Sequence, residues 1–331
     1  MSSDKPLHIS TSPPWRRVLI TGGSGFIGSH LARAVRRHWP ASELVILDLL
    51  PPAVTPNRFI QGSISDWASV MEACRDVDCV FHLAAMVSAE ESLQKPHECL
   101  EVNVTGTLCL LEAACRQGAG RLVFSSSAAV YGNSPPCPQS EAMKPEPLTP
   151  YGISKLDGEL YLEVYRRTAG LSTVSLRYFN VYGPGQNPNS NYAAAIPRFI
   201  ERARQGEPLQ IFGDGLQTRD FVHVTDVARA NLWAACQQEL YGPCNVSTGQ
   251  PIQILELARR IRDLTGSESE IQMGPPRPGD IRDSWADPSR LSSLGYRASI
   301  PLAQGLQALI QNGRSESDSA REAEQAEPGA S

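Results

Sequence analysis

Strand-like runs, most of them apolar, alternate with helix-length segments over the first half of the chain. The runs lie at 18–20, 44–47, 80–83, 122–124 and 173–177, and the spacing of apolar positions predicts helices at 26–38, 101–117 and 150–169. Strands that are apolar at successive positions are buried on both faces, as in a parallel sheet covered by helices. The alternation therefore predicts an α/β protein with a doubly wound parallel sheet of the Rossmann type.

The pattern loosens after about residue 180. Gly, Pro and Asn crowd 183–191, and helical stretches recur near 193–205, 225–238 and 252–265. We expect a first domain over 15–180 and a smaller lobe over 181–310 whose elements interleave with the sheet. The polar segment 1–14 and the Ser-, Glu- and Ala-rich tail 311–331 are predicted to be disordered.

The composition is that of an ordinary globular protein, with 41% hydrophobic residues, 20% charged residues and a net charge of −5. This charge gives no electrostatic reason to expect nucleic acid or a membrane surface as partner. No run approaches a membrane span and the N-terminus has no apolar signal core, so we expect a cytoplasmic protein. The eight cysteines form no C-x-x-C pair. We therefore expect neither disulfides nor a metal site.

A glycine-rich loop joins the first predicted strand to the first helix, with Gly22, Gly25 and Gly28 in a G-x-x-G-x-x-G pattern. Glycines let the backbone approach a pyrophosphate closely, and the helix N-terminus offers free N–H groups to the phosphates. Asp48 ends the second strand, where a carboxylate binds a ribose 2′-OH and repels a 2′-phosphate. Apolar residues follow it, so the sequence predicts NAD rather than NADP. The alternative is a tight structural turn beside a surface carboxylate.

A tyrosine and a lysine four residues apart open the helix predicted at 150–169. Tyr151 and Lys155 share a helix face. A neighbouring cation stabilises phenolate and lowers the tyrosine pKa, so Tyr151 is a candidate general base towards a substrate hydroxyl. Such a pair alone is also common on ordinary helix surfaces. However, a serine cluster that ends with Ser127 closes an earlier strand, where active sites of parallel sheets lie, and its hydroxyl is placed to bridge Tyr151 and the reacting oxygen.

Together these motifs resemble the extended short-chain dehydrogenases/reductases, and among them the nucleotide-sugar epimerase/dehydratase family. The resemblance covers about 16–310. It includes HLAA at 82–85, NVTGT at 103–107, LRYFNVYGP at 176–184, QTRDFVHV at 217–224 and RPGD at 277–280. We expect the two histidines in these motifs, His82 and His223, to be structural.

The resemblance implies three sets of functional residues. Catalysis would fall to Ser127, Tyr151 and Lys155. NAD would be held by Gly22, Gly25, Phe26, Ile27, Gly28, Asp48, Ile64, Leu83, Ala84, Ala85, Asn103, Tyr151, Lys155 and Phe179. A UDP-sugar substrate would contact Ser127, Tyr151, Asn180, Arg219, Arg277 and Ser284.

Members of the family share a first step, in which the tyrosine takes the proton of the sugar 4-OH while C4 passes a hydride to NAD. Dehydratases usually carry an acid just after the strand-end serine, whereas Ala128 and Ala129 follow Ser127 here. The resemblance therefore implies 4-epimerisation of a UDP-hexose through a transient 4-keto sugar, with NAD regenerated in each cycle. A nucleotide-sugar dehydratase, decarboxylase or reductase is the alternative, and a non-enzymatic NAD sensor is a third possibility.

Ser284 bears on which sugar is used. In relatives a tyrosine at this position restricts the enzyme to glucose and galactose forms, and a small residue leaves room for an N-acetyl group. We expect UDP-GlcNAc and UDP-GalNAc to be used, alone or alongside UDP-Glc and UDP-Gal; a solvated turn at Ser284 is the alternative. The segment 189–197 also resembles the N-acetyl-accepting subgroup. Ser63 and Leu49 depart from frequent Asp and Asn residues of relatives near the cofactor.

The resemblance also implies a homodimer. Family members commonly pair two helices from each subunit, and the matching helices here are those predicted at 101–117 and 150–169.

Overall fold

Helices and strands alternate over the first half of the chain. The computed structural model describes residues 14–133, 137–188, 194–276 and 281–311. The first elements are β1 (Arg17–Thr21), α1 (Phe26–His38), β2 (Glu43–Asp48), β3 (Arg58–Gln61), α2 (Trp67–Ala73), β4 (Cys79–His82), α3 (Ala89–Gln94), α4 (Pro96–Leu100), α5 (Gly106–Arg116), β5 (Arg121–Ser127), α6 (Pro150–Ala169) and β6 (Ser172–Tyr178).

The later elements are shorter and less regular. They are β7 (Asn180–Tyr182), α7 (Ala195–Gln205), β8 (Leu209–Phe212), β9 (Thr218–His223), α8 (Val224–Cys236), β10 (Gly242–Val246), β11 (Pro251–Gln253), α9 (Ile254–Thr265), β12 (Ile271–Gly274), β13 (Asp283–Ser284), α10 (Ser289–Ser293) and α11 (302–311).

Seven strands form one parallel sheet in the order β10-β6-β5-β4-β1-β2-β3. The chain moves outward from β1 to β3, then returns to β4 on the other side of β1. This reversal leaves a crevice at the carboxyl ends of β1 and β4, where ligands of such sheets bind. The predicted doubly wound parallel sheet is confirmed.

Helices cover both faces of this sheet. On one face α1 and α8 pack against each other and bury Leu31, Val35 and Val227 over the strands. On the other face α2, α5 and α6 form the cover, with Leu110 and Leu162 in their core. Because neither face meets water, the strands are apolar at successive positions, as their sequences indicated.

The remaining elements form a smaller layered unit. β7, β9, β11 and β13 make one small sheet, and β8 pairs with β12. α7, α9 and α11 share a core with these strands, which includes Phe199, Leu209, Leu257 and Leu306. However, β10 and α8 belong to the large sheet and its cover although they lie beyond residue 180. The domain bounds 15–180 and 181–310 stay a prediction.

Helix bounds follow local signals closely at α6. Thr149 caps its N-terminus by accepting from the Gly152 N–H at 3.1 Å, Pro150 begins it, and Gly170 ends it with a φ of +71°. The helix predicted at 101–117 differs in its first turn. Glu101–Thr105 is a π-helical turn that continues from α4 into α5, and such turns often mark functional sites.

Some predictions fall on residues outside the described ranges. These are the Arg277–Asp280 motif, residues 189–193 of the segment 189–197 and, apart from Pro14 and Gln311, the two ends predicted to be disordered. Within the described ranges, none of the helices combines the length and the apolar character needed to cross a membrane.

Candidate functional site

A cleft of about 530 Å³ runs over the carboxyl ends of the central strands, at the reversal of strand order. The glycine loop and the start of α1 form one wall, and the ends of β5 and β6 with α6 form another. Most of the residues predicted to hold NAD line it. These are Gly22, Gly25, Phe26, Ile27, Gly28, Asp48, Ile64, Leu83, Ala84, Ala85, Tyr151 and Lys155.

The glycine loop is too tightly packed for larger residues. Gly22 has a φ of +72°, and a Cβ there would lie 2.7 Å from the Ala84 nitrogen. A Cβ on Gly28 would lie 2.0 Å from the Gly22 oxygen. No side chain of the described residues caps the N-terminus of α1. Its free N–H groups therefore face the cleft, ready for a diphosphate.

Asp48 stands at the end of β2, at the opposite end of the cleft from α6. Its carboxylate accepts from the Ser24 N–H at 2.9 Å and from the Leu50 N–H at 3.1 Å. Each carboxylate oxygen has capacity for a further donor. Among the described residues that line the cleft, Lys155 alone is basic. It contacts β5, and the strands β4 and β1 lie between β5 and β2, where Asp48 is. The Asp48 end therefore suits a ribose 2′-OH and offers nothing to a 2′-phosphate.

Tyr151 and Lys155 lie in the first turns of α6 and face the end of β5. The Lys155 ammonium donates to the Ser125 carbonyl at 2.9 Å and lies 5.8 Å from the centre of the Tyr151 ring. Ser127 hydrogen-bonds the Tyr151 side chain, and its Oγ accepts from the Ala129 N–H at 3.1 Å. The structure thus brings the three predicted catalytic side chains together at one end of the cleft.

Burial dominates the electrostatics of this group. It lowers the pKa of Lys155 to about 8. It also raises the pKa of Tyr151, although the hydrogen bond from Ser127 opposes that rise. The sequence argument expected Lys155 to lower the Tyr151 pKa. That expectation is wrong for this structure, because loss of water around the phenol outweighs the effect of its neighbours.

Asn103 and Phe179, both predicted to hold NAD, do not line the cleft. Asn103 is 3% exposed, and its amide donates to Ser154 Oγ at 2.9 Å and the Met86 carbonyl at 3.0 Å. Its Oδ1 accepts from the Met86 N–H at 2.8 Å. Asn103 therefore ties the loop after β4 to α6. Phe179 is 1% exposed and packs against Tyr131 and Val130. Direct contact of either with a cofactor stays a prediction.

Sequence reasoning missed a buried polar group behind the cleft. Ser126, which lines the cleft, donates to Glu159 Oε1 at 2.5 Å, and Glu159 forms an ion pair with Arg177 at 2.6 Å. Both charged side chains are almost fully buried, and a buried charge requires a partner. An arginine within the strand-like run 173–177 was a signal that a carboxylate would lie opposite.

The two histidines have structural positions. His82 bridges Thr21 Oγ1 at 2.8 Å and Thr107 Oγ1 at 2.9 Å, and burial lowers its pKa to about 3. His223 accepts from the Thr225 N–H at 3.2 Å at the start of α8. Neither lines the cleft.

A second cavity of about 350 Å³ adjoins the first, since Val181 lines both. It brings Asn180 and Arg219 together from the neighbouring strands β7 and β9. Apolar side chains such as Phe199, Phe212 and Ile211 form much of the remaining wall, together with two further arginines and two glutamines. A guanidinium beside an apolar pocket is suited to a phosphate that carries a planar base.

Ser284, in β13, lines neither of these cavities, although its strand neighbour Arg219 lines the second. It pairs with Arg219 of β9 and is 8% exposed, so it is not a solvated turn residue. Arg277 lies outside the described residues. Among the residues that the structure describes, no group of three or more His, Cys, Asp or Glu side chains is arranged to hold a metal ion.

Comparison with known proteins agrees with this geometry. Residues 18–246 match the model of the NAD dependent epimerase/dehydratase family. A UDP-glucose 4-epimerase from Mycolicibacterium smegmatis is 34% identical over 315 residues, covering 91% of this chain and 99% of the relative. Other relatives are named as dehydratases or decarboxylases.

Solved structures give the same result. A UDP-N-acetylglucosamine 4-epimerase from Methanobrevibacter ruminantium, in complex with UDP-N-acetylmuramic acid, superimposes with a TM-score of 0.85 at 35% identity, covering 91% of this chain and 99% of that one. A Thermus thermophilus UDP-glucose 4-epimerase in complex with NAD gives 0.82 at 36%, covering 90% and 99%. The predicted family and its cofactor are confirmed. The chain therefore belongs to the NAD dependent epimerase/dehydratase family.

Proposed function

We propose that the chain is an NAD-dependent 4-epimerase of UDP-hexoses. The observation that carries this proposal is that Ser127, Tyr151 and Lys155 lie together beside the cleft that the glycine loop lines, with Ala128 and Ala129 directly after Ser127. The adjoining cavity with Asn180 and Arg219 supports a nucleoside diphosphate as the part of the substrate that anchors it. The names of the relatives support the same reaction.

The residues present fit a dinucleotide. The close-packed glycine loop and the uncapped start of α1 suit its diphosphate, and Asp48 suits a ribose hydroxyl. Bound NAD supplies an acceptor for the sugar hydride and a donor for its return.

Tyr151 acts on the proton of the sugar 4-OH. Before substrate binds, Tyr151 loses its proton to water; the charge of Lys155, and that of NAD⁺ when bound, would favour this loss against the burial that raises the Tyr151 pKa. The phenolate then accepts the 4-OH proton as the C4 hydride leaves. Ser127, already hydrogen-bonded to Tyr151, orients the same oxygen. The Lys155 ammonium stabilises the phenolate by its charge. When the 4-keto sugar presents its other face, the same phenol returns the proton as hydride returns, and the C4 configuration is inverted.

The alanines after Ser127 favour epimerisation over dehydration. Elimination of water needs an additional acid and base near the sugar. Neither Ala128 nor Ala129, both directly after β5, can move a proton. A dehydratase, decarboxylase or reductase stays the alternative, since relatives with such names exist.

Product analysis tests the proposal. Purified protein is incubated with UDP-Gal or UDP-GalNAc without added cofactor, and products are identified by NMR. We expect the C4 epimer and no net NADH. A stable 4-keto product would support the alternative. Tyr151→Phe should lower turnover by about 10²–10⁴-fold, whereas Tyr161→Phe on the exposed side of α6 should not. Full turnover in Tyr151→Phe would exclude Tyr151 as the base, and absence of turnover in the parent would favour a non-enzymatic NAD protein.

We also propose that N-acetylated UDP-hexoses are substrates, because Ser284 is small and lies opposite Arg219. Ser284→Tyr should lower the kcat/KM for UDP-GalNAc by at least tenfold while that for UDP-Gal changes little, since a phenol ring fills the space at the sugar C2 group. Ser284→Ala serves as the matched control. Equal kcat/KM for UDP-GalNAc in Ser284→Tyr and the parent would exclude this role.

A homodimer and a cytoplasmic location complete the proposal. α6 carries an exposed apolar stripe of Ile153, Leu160 and Val164, which supports pairing with a second copy through α5 and α6. All eight cysteines lie in the described ranges and are free thiols, which suits a reducing compartment.

A further inference from the structure

A third cavity, of about 250 Å³, lies at the outer end of the large sheet. Its floor is the chain that leaves β10, from Asn245 to Gln250, and its opposite wall is α10 with Tyr296–Ala298. It shares none of its lining residues with the two cavities of the proposed active site. Its volume is below the usual range of pockets for drug-sized ligands, so its occupant is small.

Among the described residues that line this cavity, Arg297 alone is charged. Arg297, at its rim, is exposed and forms no ion pair with any described residue. None of the described residues that line the cavity carries a carboxylate. The nearby Asp220 is already engaged, because it accepts from Thr248 and Gly249 at 2.5–2.9 Å. The cavity therefore attracts anions and offers no partner to a cation.

A buried hydroxyl in the wall lacks a partner. Ser247 is 4% exposed, and its Oγ has no hydrogen-bond partner among the described residues. Its neighbour Asn245 differs, since it accepts from the Tyr131 hydroxyl at 2.7 Å and donates to the Gln139 carbonyl at 3.0 Å. An unpaired buried hydroxyl costs free energy. Ser247 lines the cavity, and a rotation about its χ1 that turns Oγ into the cavity lets it donate to a ligand oxygen, which removes that cost.

We infer that this cavity is a binding site for a small phosphorylated or phosphate anion, separate from the substrate site. Arg297 supplies a planar, permanently charged donor group that suits a phosphoryl oxygen pair. Ser247 supplies a hydroxyl donor at the other wall. Free phosphate and the phosphoryl group of a sugar phosphate present the same oxygens to these donors.

Calorimetric titration of the full chain tests the inference. Saturating UDP first fills the nucleotide cavity, and inorganic phosphate or α-D-glucose 1-phosphate is then titrated. We expect binding of at least one probe to the parent protein. Binding of glucose 1-phosphate alone would identify the ligand as a sugar phosphate, and binding of both would identify the phosphoryl group as sufficient. Absence of binding by both probes would overturn the inference.

Two variants locate the binding. Arg297→Gln should weaken it by about tenfold or more, because a charge-assisted hydrogen bond is lost. Ser247→Ala should weaken it several-fold while its melting temperature without anion stays unchanged or rises, since the unpaired hydroxyl is gone. Arg259→Gln, on the exposed side of α9, is the matched loss of charge and should bind as the parent does. Equal affinity in Arg297→Gln and the parent would also overturn the inference.

Discussion

The ammonium of Lys155 is a buried cation in the proposed site. It is 4% exposed, and the partner that the structure gives it is the carbonyl of Ser125, not a carboxylate. A carbonyl replaces only part of the lost hydration, so the pKa falls to about 8. Burial of the Lys155 ammonium therefore costs the fold free energy of unfolding, and the proposed chemistry requires that burial.

This cost leads to a stability prediction. Lys155→Met should lower turnover by at least 10²-fold yet unfold at an equal or higher denaturant concentration at pH 7, in cofactor-free protein. From pH 8 to 10.5 the unfolded parent binds more protons than the folded parent, so its unfolding free energy should rise with pH relative to the variant. Denaturant melts across this range measure the difference.

Leu264→Met provides the control, because it introduces the same side chain at an exposed position and removes no titratable group. Its stability difference from the parent should not vary with pH over the same window. A constant difference for Lys155→Met as well would show that its ammonium carries no burial cost.

The sequence predicted correctly which residues lie together when their spacing in the chain alone decides it. Tyr151 and Lys155 share a helix face at any register, and the glycine loop has its own strand and helix as context. The packing around Asn103 and Phe179 could not be predicted in this way. The direction of the Asn103 side chain depends on a π-helical turn, which apolar periodicity does not reveal. Phe179 lies between β6 and β7, where packing with Tyr131 decides its orientation.

At the scale of elements, α6 serves two surfaces. Its first turns carry Tyr151 and Lys155 towards the cleft, and its outer side exposes Leu160 and Val164, which are 59% and 51% exposed. An apolar stripe of this kind on a helix is typical of a surface that a partner covers. The helix bounds were predictable because Thr149, Pro150 and Gly170 are strong local signals.

The stripe predicts the effect of a charge on assembly. Leu160→Glu with Val164→Glu should convert the proposed dimer to a monomer, because two buried carboxylates in each subunit would face an apolar interface. Sedimentation equilibrium measures the mass. Leu264→Glu, on an exposed position of α9, is the matched control and should leave the mass unchanged. A parent protein that is monomeric at all concentrations would exclude this interface.

At the scale of the whole molecule, the sequence predicted the class of the sheet but neither of its outer strands, β3 and β10. Continuous apolar runs indicated parallel strands, and the first five of them follow the chain in a regular alternation. β10 departs from this, since it joins β6 after about sixty intervening residues of β7 to α8. Local periodicity does not encode which distant segment pairs with an open edge. The cavities shared between the sheet and the smaller unit were therefore beyond sequence reasoning too.

That late strand has a consequence for how the protein is made. During synthesis, β6 leaves the ribosome well before β10, so the edge of β6 stays open until residues 242–246 have emerged. Open strand edges promote aggregation. A shortened gene that stops near codon 180 would encode every predicted catalytic residue, yet its product would keep this edge open permanently. The cofactor-binding half therefore cannot be separated from the rest of the gene as a working unit, because only residues 242–246 complete its sheet.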